Sequence, residues 1–158
     1  ARRCVEETGF AAAGVRILED TSVLLPCGVR VVGRKDYLYT NGSRFTAAQL
    51  MPGGPDDHYT VWLDHEPRDF KNAAAAGADL ILSGHTHGGQ VRIPLLVNGL
   101  FAPDQGWFPR YAGGLYEVGE TSLVVSRGLS YYPRLPRVFD PPEVVVIDVE
   151  GTRKAAQS

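Results

Sequence analysis

Short apolar runs separated by turn-forming residues set the pattern of the first half of the chain. Two of these runs, 59–63 and 79–83, predict strands, and the second is nearly all apolar, as in strands that are covered on both faces. The segment between them is rich in alanine, has Pro67 at a first-turn position and reaches Gly77, which predicts a helix. A strand, a helix and a second strand in this order predict a parallel pair whose carboxyl ends lie at one edge of a sheet.

The remaining pattern predicts short elements on both sides of this unit. Strand-like runs precede it, and a hairpin with a turn at Gly119-Glu120 follows it. The further predictions are helices over 2–13 and 44–50, strands over 15–18, 22–25, 29–33, 90–94, 115–118, 122–126 and 143–149, and a flexible tail over 151–158. Together they favour an α/β fold rich in strands towards its end.

Composition narrows the function classes. The 158 residues suit one domain, and 44% hydrophobic with 22% charged residues is ordinary for a globular protein. With 16 Lys and Arg scattered against 18 Asp and Glu, the net charge of -2 provides no basic patch for nucleic acid. No apolar run approaches the roughly 18 to 20 residues needed to cross a bilayer. Cys4 and Cys27 remain open as a pair or as two thiols.

Histidines follow both central strands. His65 comes after the first, and His85 and His87 come after the second with one residue between them. In an extended segment residues two apart share a face, so His85 and His87 are expected to converge on one ion or on two adjacent ones. Imidazole is a common ligand of divalent metals. A His-x-His pair by itself is equally typical of two surface or hydrogen-bonded histidines.

Glycines surround this pair. Gly84 and Gly88 lack a Cβ, so the backbone can turn sharply there and a phosphate-sized group can approach closely. His58 lies in a loop rich in Pro, Gly and Asp and is interpreted as an exposed residue. The sequence therefore favours a metal site at the carboxyl edge, with phosphate chemistry as one use of it.

Several segments in this order resemble the second half of a calcineurin-like metallophosphoesterase, in the bacterial branch that often carries a membrane anchor or an export signal. They are 64–67 (Asp-His-Glu-Pro), 84–90 (Gly-His-Thr-His-Gly-Gly-Gln), 108–111, 114–116, 125–129 and 142–144. The resemblance covers most of the chain. It implies that residues 1–158 form a single unit, the C-terminal portion of the catalytic domain, and half of a four-layer α/β/β/α sandwich with mixed sheets.

The resemblance also implies a chemistry, the hydrolysis of phosphomonoesters or phosphodiesters by two divalent ions of Mn, Fe or Zn bridged by a carboxylate. Matched by motif, His65 and His85 bind the second ion and His87 binds the first. We expect Asp64 to orient an imidazole and Gly84 and Gly88 to admit the substrate. Arg127 either contacts a phosphate or pairs with a loop carboxylate. The substrate class is left open among monoesters, diesters, nucleotides and lipid headgroups.

The chain departs from that family in its first half. No strand ends in Asp-x-His, and no Gly-Asp or Gly-Asn-His segment is present. We therefore expect the isolated chain to be incomplete and inactive, with the other ligands supplied by a missing N-terminal segment of the same domain or by a second copy. Such a segment is also the expected route to any membrane association, and localisation stays open among cytoplasmic, membrane-associated and exported. The alternative is a non-catalytic metal-binding or scaffold fragment.

Overall fold

A mixed six-stranded sheet forms the centre of the molecule, and the computed structural model describes residues 9–37, 40–130 and 136–150. Its strands are β1 (Thr21–Leu24), β2 (Arg30–Gly33), β3 (Thr60–Leu63), β4 (Leu80–Ser83), β7 (Gly114–Val118) and β8 (Thr121–Val125). A separate hairpin is made by β5 (Phe101–Ala102) and β6 (Gly106–Trp107). The described helices include α1 (Ala47–Leu50), α2 (Phe70–Ala75) and a 3₁₀ turn over His87–Gly89.

The strand order is β1-β2-β3-β4-β8-β7. The four inner strands β2, β3, β4 and β8 run parallel, and the outer strands β1 and β7 pair antiparallel with their neighbours. The predicted α/β class and the parallel pairing of the two central strands are confirmed. The predicted hairpin of 115–118 with 122–126 is also confirmed, as β7 and β8.

Local sequence signals position the two helices. Thr46 and Gln49 form a reciprocal capping box that begins α1. The second helix, α2, begins three residues after Pro67 and ends before Gly77, whose φ of 103° suits a residue without a Cβ. Asp79, at the start of β4, accepts a hydrogen bond from the backbone N–H of Thr60 at 2.6 Å and so fixes the beginning of β3.

The core lies between the inner strands and the helices. Trp62 on β3, Ile81 on β4 and Leu123 on β8 are almost completely buried. They pack in one cluster with Phe70 and Ala73 of α2. Burial of these side chains holds the parallel strands in register and fixes where each strand ends.

Three predicted strands are wrong. Residues 15–18 form no strand, and the chain there packs closely on Gly33, where a Cβ would lie 2.5 Å from the Leu18 carbonyl oxygen. The predicted strand 90–94 is reduced to isolated bridges. Residues 143–149 lie against β4, β7 and β8, where they line a cavity of about 520 Å³ without joining the ladder.

The chain ends are only partly described. Residues 9–12 are helical and precede Gly14, whose φ is 77°, so the described part of the predicted first helix is confirmed. Residues 1–8, with Cys4, and the predicted tail 151–158 lie outside the described residues. Cys27 is a free, exposed thiol. None of the helices in the described part of the chain is long and apolar enough to span a membrane.

We expect Leu123→Ala to destabilise the fold by about 2 to 5 kcal/mol, because Leu123 is fully buried in the core cluster and its truncation leaves a cavity. Val146→Ala is the matched control, since the Val146 side chain is 82% exposed and its loss is expected to cost less than about 0.5 kcal/mol. Urea denaturation measures both changes in the free energy of unfolding. Equal losses would contradict this assignment of the core.

Candidate metal centre

The structure brings His65 and His85 together. Their ring centroids lie 5.2 Å apart, with the ring planes at 78°. Leu63 and Leu82 are register partners in the parallel pair, and each histidine lies two residues beyond the end of its own strand. The Gly84 N–H donates to the His65 carbonyl oxygen at 3.0 Å, so the pairing continues to the point where the imidazoles begin.

The turn that carries His85 and His87 is not extended. His85 has a φ of 66° and His87 a φ of 49°, both in the left-handed region that L side chains rarely adopt. Gly88 and Gly89 continue this conformation with φ values of 63° and 66°. The premise that residues two apart share one face is therefore wrong for this pair. The partner brought to His85 by the structure is His65.

Hydrogen bonds and close packing hold this turn. The buried Thr86 hydroxyl donates to the Ala112 carbonyl oxygen at 2.6 Å. A Cβ at Gly89 would lie 2.6 Å from the Cα of Gly99, so the next segment packs directly on the turn. Positive φ at a histidine costs roughly 1 to 3 kcal/mol and persists only when the surroundings fix it. Such fixed strain is a feature of binding and catalytic sites.

The two imidazoles suit nitrogen ligation of a divalent ion. Nε2 of His85 is buried without a hydrogen-bond partner in the described part of the chain. Burial lowers the pKa of His85, the carboxylate of Asp104 opposes that shift, and His65 adds to it. A neutral imidazole with a free ring nitrogen is the form that binds metal. An open cavity of about 330 Å³ lies beside His65 and Gly84.

His87 has a different neighbour. Its Nδ1 lies 3.4 Å from the carbonyl oxygen of Ser130. Across the described ranges no group of three or more His, Cys, Asp or Glu side chains is arranged to hold a metal ion. Those residues therefore provide a pair of imidazoles and a separate third one, without a complete ligand set.

Asp64 is held by arginines. One carboxylate oxygen lies 2.8 Å from the Arg44 guanidinium and the other 3.3 Å from that of Arg34. Burial raises the pKa of Asp64, and the two arginines oppose that rise. This network ties the end of β3 to β2 and to the loop before α1. Asp64 therefore fixes the backbone next to His65, and its oxygens are occupied by guanidinium groups.

Gly84 and Gly88 differ in their surroundings. A Cβ at Gly84 would meet nothing closer than 3.9 Å, so this backbone lies open beside the His65 ring. A Cβ at Gly88 would lie 2.2 Å from Oδ1 of Asp140, a carboxylate that is almost completely buried. The close approach at Gly88 is therefore to Asp140.

Arg127 belongs to a cluster of charged side chains around Asp140. Its guanidinium pairs with Glu143, and its backbone N–H donates to Oε1 of Glu143 at 2.9 Å. Arg137 and Arg92 also lie beside Asp140, at 3.0 and 4.0 Å. Of the two roles considered for Arg127, the pairing with a loop carboxylate is the one that the structure shows.

Two buried acids were missed by sequence reasoning. Glu66 is 1% exposed, and its Oε1 has no hydrogen-bond partner among the described residues. The side chain of Asp104, in the turn between β5 and β6, is fully buried and both of its oxygens lack hydrogen-bond partners there. Glu66 follows His65 directly and was within reach of a motif argument. The only sequence feature that distinguishes Asp104 is that it is the one charged residue between positions 95 and 109.

Curated relatives place the chain among metallophosphoesterases. The metallophosphoesterase YkuE of Bacillus subtilis is 33% identical over 126 residues, which cover 71% of this chain and 43% of that protein. A bovine transmembrane protein with a metallophosphoesterase domain is 36% identical over 135 residues, 80% of this chain and 27% of that protein. The phosphodiesterase YaeI of Escherichia coli is 42% identical over 87 residues, 55% of this chain and 31% of that protein.

The chain spans less than half the length of each of these three relatives. No family model matches the sequence. No solved structure matches it either. The family assignment therefore rests on these relatives, over the part of their length that this chain covers.

We expect Gly88→Ala to destabilise the protein more than Gly106→Ala. Both glycines have a positive φ, at 63° and 76°, so both variants bear the same left-handed strain. A Cβ at Gly106 meets nothing within 4 Å, whereas one at Gly88 collides with the Asp140 carboxylate. The collision is expected to add about 1 to 3 kcal/mol. Denaturant unfolding of the two variants measures the difference, and similar losses would exclude close packing of Gly88 on Asp140.

Glu143→Gln is expected to weaken the pH dependence of stability. A hydrogen bond from Arg127 holds the pKa of Glu143 below its ordinary value of 4.5, so the ionised form is favoured in the folded protein. Its contribution is complete above 4.5 and is lost as the pH falls through the folded-state pKa. The loss in unfolding free energy caused by Glu143→Gln should therefore be largest at neutral pH and shrink on acidification.

Glu120→Gln is the control for this measurement, since Glu120 is exposed in the turn between β7 and β8. Unfolding curves at neutral pH and well below the ordinary pKa of glutamate give the two differences to compare. A loss at Glu143 that does not change with pH would show that the Arg127 contact does not stabilise the ionised carboxylate.

Proposed function

Because the chain belongs to the calcineurin-like metallophosphoesterase family, we propose that it is part of a metal-dependent phosphoester hydrolase. In this proposal His65 and His85 share one divalent ion. The observation that carries it is the convergence of two imidazoles from neighbouring parallel strands, with ring centroids 5.2 Å apart. An ion bound there supplies positive charge to a phosphoryl group and polarises its oxygens.

The centre that we propose has two ions, and His87 binds the one that His65 and His85 do not share. The separate surroundings of His87 support this division, since its ring faces Ser130 while His65 and His85 face each other. The remaining ligands come from an N-terminal segment of the same domain or from a second copy of the chain. Nitrogen and oxygen donors without thiolates favour Mn, Fe or Zn.

The residues around the histidines prepare the site. Arg34 and Arg44 neutralise Asp64 and so hold the backbone from which His65 projects. Gly84 leaves the space beside the His65 ring open, and we propose that a phosphate group enters there. The substrate in this proposal is a phosphomonoester or phosphodiester, and similarity to the Escherichia coli phosphodiesterase favours the diester.

We propose in addition that the sheet is one half of a four-layer α/β/β/α sandwich. The segment 143–149 supports this proposal, because its exposure alternates between about 40% at Val145 and Ile147 and 74 to 82% at Val144 and Val146. This alternation is that of an extended strand with one face covered. Its outward face is apolar and suits a second sheet.

A non-catalytic metal-binding fragment is the second candidate. It is favoured by the incomplete ligand set, since the described residues contain no group of three or more metal-binding side chains suitably arranged. In that case one ion binds the His65 and His85 pair weakly and no hydrolysis follows. The two candidates differ in turnover, not in which histidines bind.

His65→Ala and His85→Ala are expected to lower the metal-dependent hydrolysis of bis(p-nitrophenyl) phosphate by a factor of about 100 or more, because each removes an imidazole that positions charge at the phosphoryl group. His58→Ala is the matched control, since His58 lies in an exposed loop and contacts Asp56. The assay uses the purified protein, alone and mixed with a segment carrying the missing ligand motifs, together with elemental analysis.

Chelation is expected to remove the activity and added Mn²⁺ or Zn²⁺ to restore it. Metal bound through His65 and His85 without hydrolysis, even after mixing, would favour the non-catalytic fragment. Hydrolysis that survives both substitutions would exclude the site.

A further inference from the structure

Asp104 has surroundings that the fold alone does not explain. Its side chain is fully buried and neither carboxylate oxygen has a hydrogen-bond partner among the described residues. The nearest cationic contact in the described part of the chain is Nε of Arg68, 4.0 Å from Oδ2, which is the limit of an ion pair. An ionised carboxylate buried without a partner costs several kcal/mol. We therefore expect a hydrogen-bond donor close to Asp104 that offsets the cost of burying its carboxylate.

The Asp104 turn is held rigidly. Gln105 makes two hydrogen bonds with the backbone of Tyr111, at 3.0 and 3.2 Å, and the Gln105 N–H donates to the Ala102 carbonyl oxygen. The Tyr111 ring in turn packs on Phe70 of α2, with centroids 4.6 Å apart. The position of Asp104 is thus fixed by the core and not by a mobile loop.

The same hairpin lies on the turn that carries His85. Strand β5 contacts the 3₁₀ turn His87–Gly89, and a Cβ at Gly89 would lie 2.8 Å from the backbone nitrogen of Leu100. His85 precedes this 3₁₀ turn and has a complementary deficiency, a buried Nε2 without a partner in the described ranges. Asp104 is also the acid with the largest effect on the pKa of His85.

We infer that Asp104 is a positioning residue that accepts a hydrogen bond from Nε2–H of His85 through one bridging water, and so directs Nδ1 of that ring towards the metal centre. This inference rests on the proposed function for the metal, but the hydrogen bond itself does not require a metal. A carboxylate behind a ligating imidazole fixes its tautomer and orientation and raises its basicity as a ligand. One interaction thereby satisfies two buried polar groups.

Arg68 provides the competing explanation, in which Asp104 serves only as its ion-pair partner. Arg68 is 37% exposed and its guanidinium lies over the Tyr37 ring at 5.0 Å, so it has another contact. The two explanations make different predictions for the His85 ring. Only a bond to Nε2–H makes the tautomer of His85 depend on Asp104.

The test is the tautomer of His85, read from long-range ¹H–¹⁵N correlations of the metal-free protein at about pH 8, where imidazoles are neutral. We expect the proton on Nε2 in the unmodified protein and a shift towards Nδ1–H in Asp104→Leu. Asp104→Asn retains an acceptor oxygen and is expected to keep the original tautomer. His58 reports in the same spectrum as an internal reference.

Metal affinity is the second measurement. Competition with a chelating dye for Zn²⁺ should show affinity about 10 to 100 times weaker in Asp104→Leu, as for other partners of a ligating histidine. Arg68→Met should leave both the tautomer and the affinity unchanged. If Asp104→Leu does not fold, Asp104→Ala replaces it in both measurements.

An unchanged His85 tautomer after loss of the carboxylate would overturn the inference, and so would an equal change in Arg68→Met. A tautomer that depends on Asp104 in a protein that binds no metal would support the positioning role and refute the proposed function. The two proposals can therefore fail separately.

Discussion

The parallel pairing of β3 with β4 is the constraint on which the rest of the structure depends. From the register pair of Leu63 and Leu82, one residue separates Leu63 from His65 and two separate Leu82 from His85. The α2 crossover returns the chain to the same edge, and Trp62 and Ile81 bury the pair beneath it. A slip of one residue would turn these side chains to the other face and separate the imidazoles. Core packing therefore determines the distance between the two rings.

The glycine-rich turn shows how that edge is shaped. Positive φ values at His85 and His87 cost free energy. Four contacts around the turn hold the backbone in this conformation. These contacts are the Thr86 hydroxyl on Ala112, the Gly84 N–H on His65, and the close packing of Gly88 on Asp140 and of Gly89 on Gly99. Two of them require glycine because a Cβ would occupy the space of the neighbouring group. Gly88 and Gly89 are therefore required for packing within the protein, independently of any ligand.

The sequence predicts the elements whose signal is local. Apolar runs predicted β3 and β4, and their order around an alanine-rich helix predicted that His65 and His85 share an edge. The prediction of a strand over 143–149 was wrong because the segment does not hydrogen-bond to the sheet, and the residue pattern does not show whether an extended segment finds a pairing partner. The extended backbone expected at His85 and His87 was wrong because left-handed backbone at a histidine is set by tertiary contacts. Asp104 lies in a long connection whose path over the site has no periodic signature.

The placement of buried acids gives the edge its electrostatic character. Asp64 and Asp140 are each surrounded by arginines, so their charges are balanced within the protein. Among the described residues no arginine lies closer than 4.0 Å to Asp104, and this carboxylate acts electrostatically on His85. Burial lowers the pKa of His85, while Asp104, Glu66 and Asp36 all act to raise it, which means that each contributes negative potential at the ring. Negative potential around a neutral imidazole stabilises an added cation whether that cation is a proton or a metal ion. Burial lowers the pKa of His85 and so favours the neutral imidazole, whose ring nitrogen keeps the lone pair that binds a divalent ion.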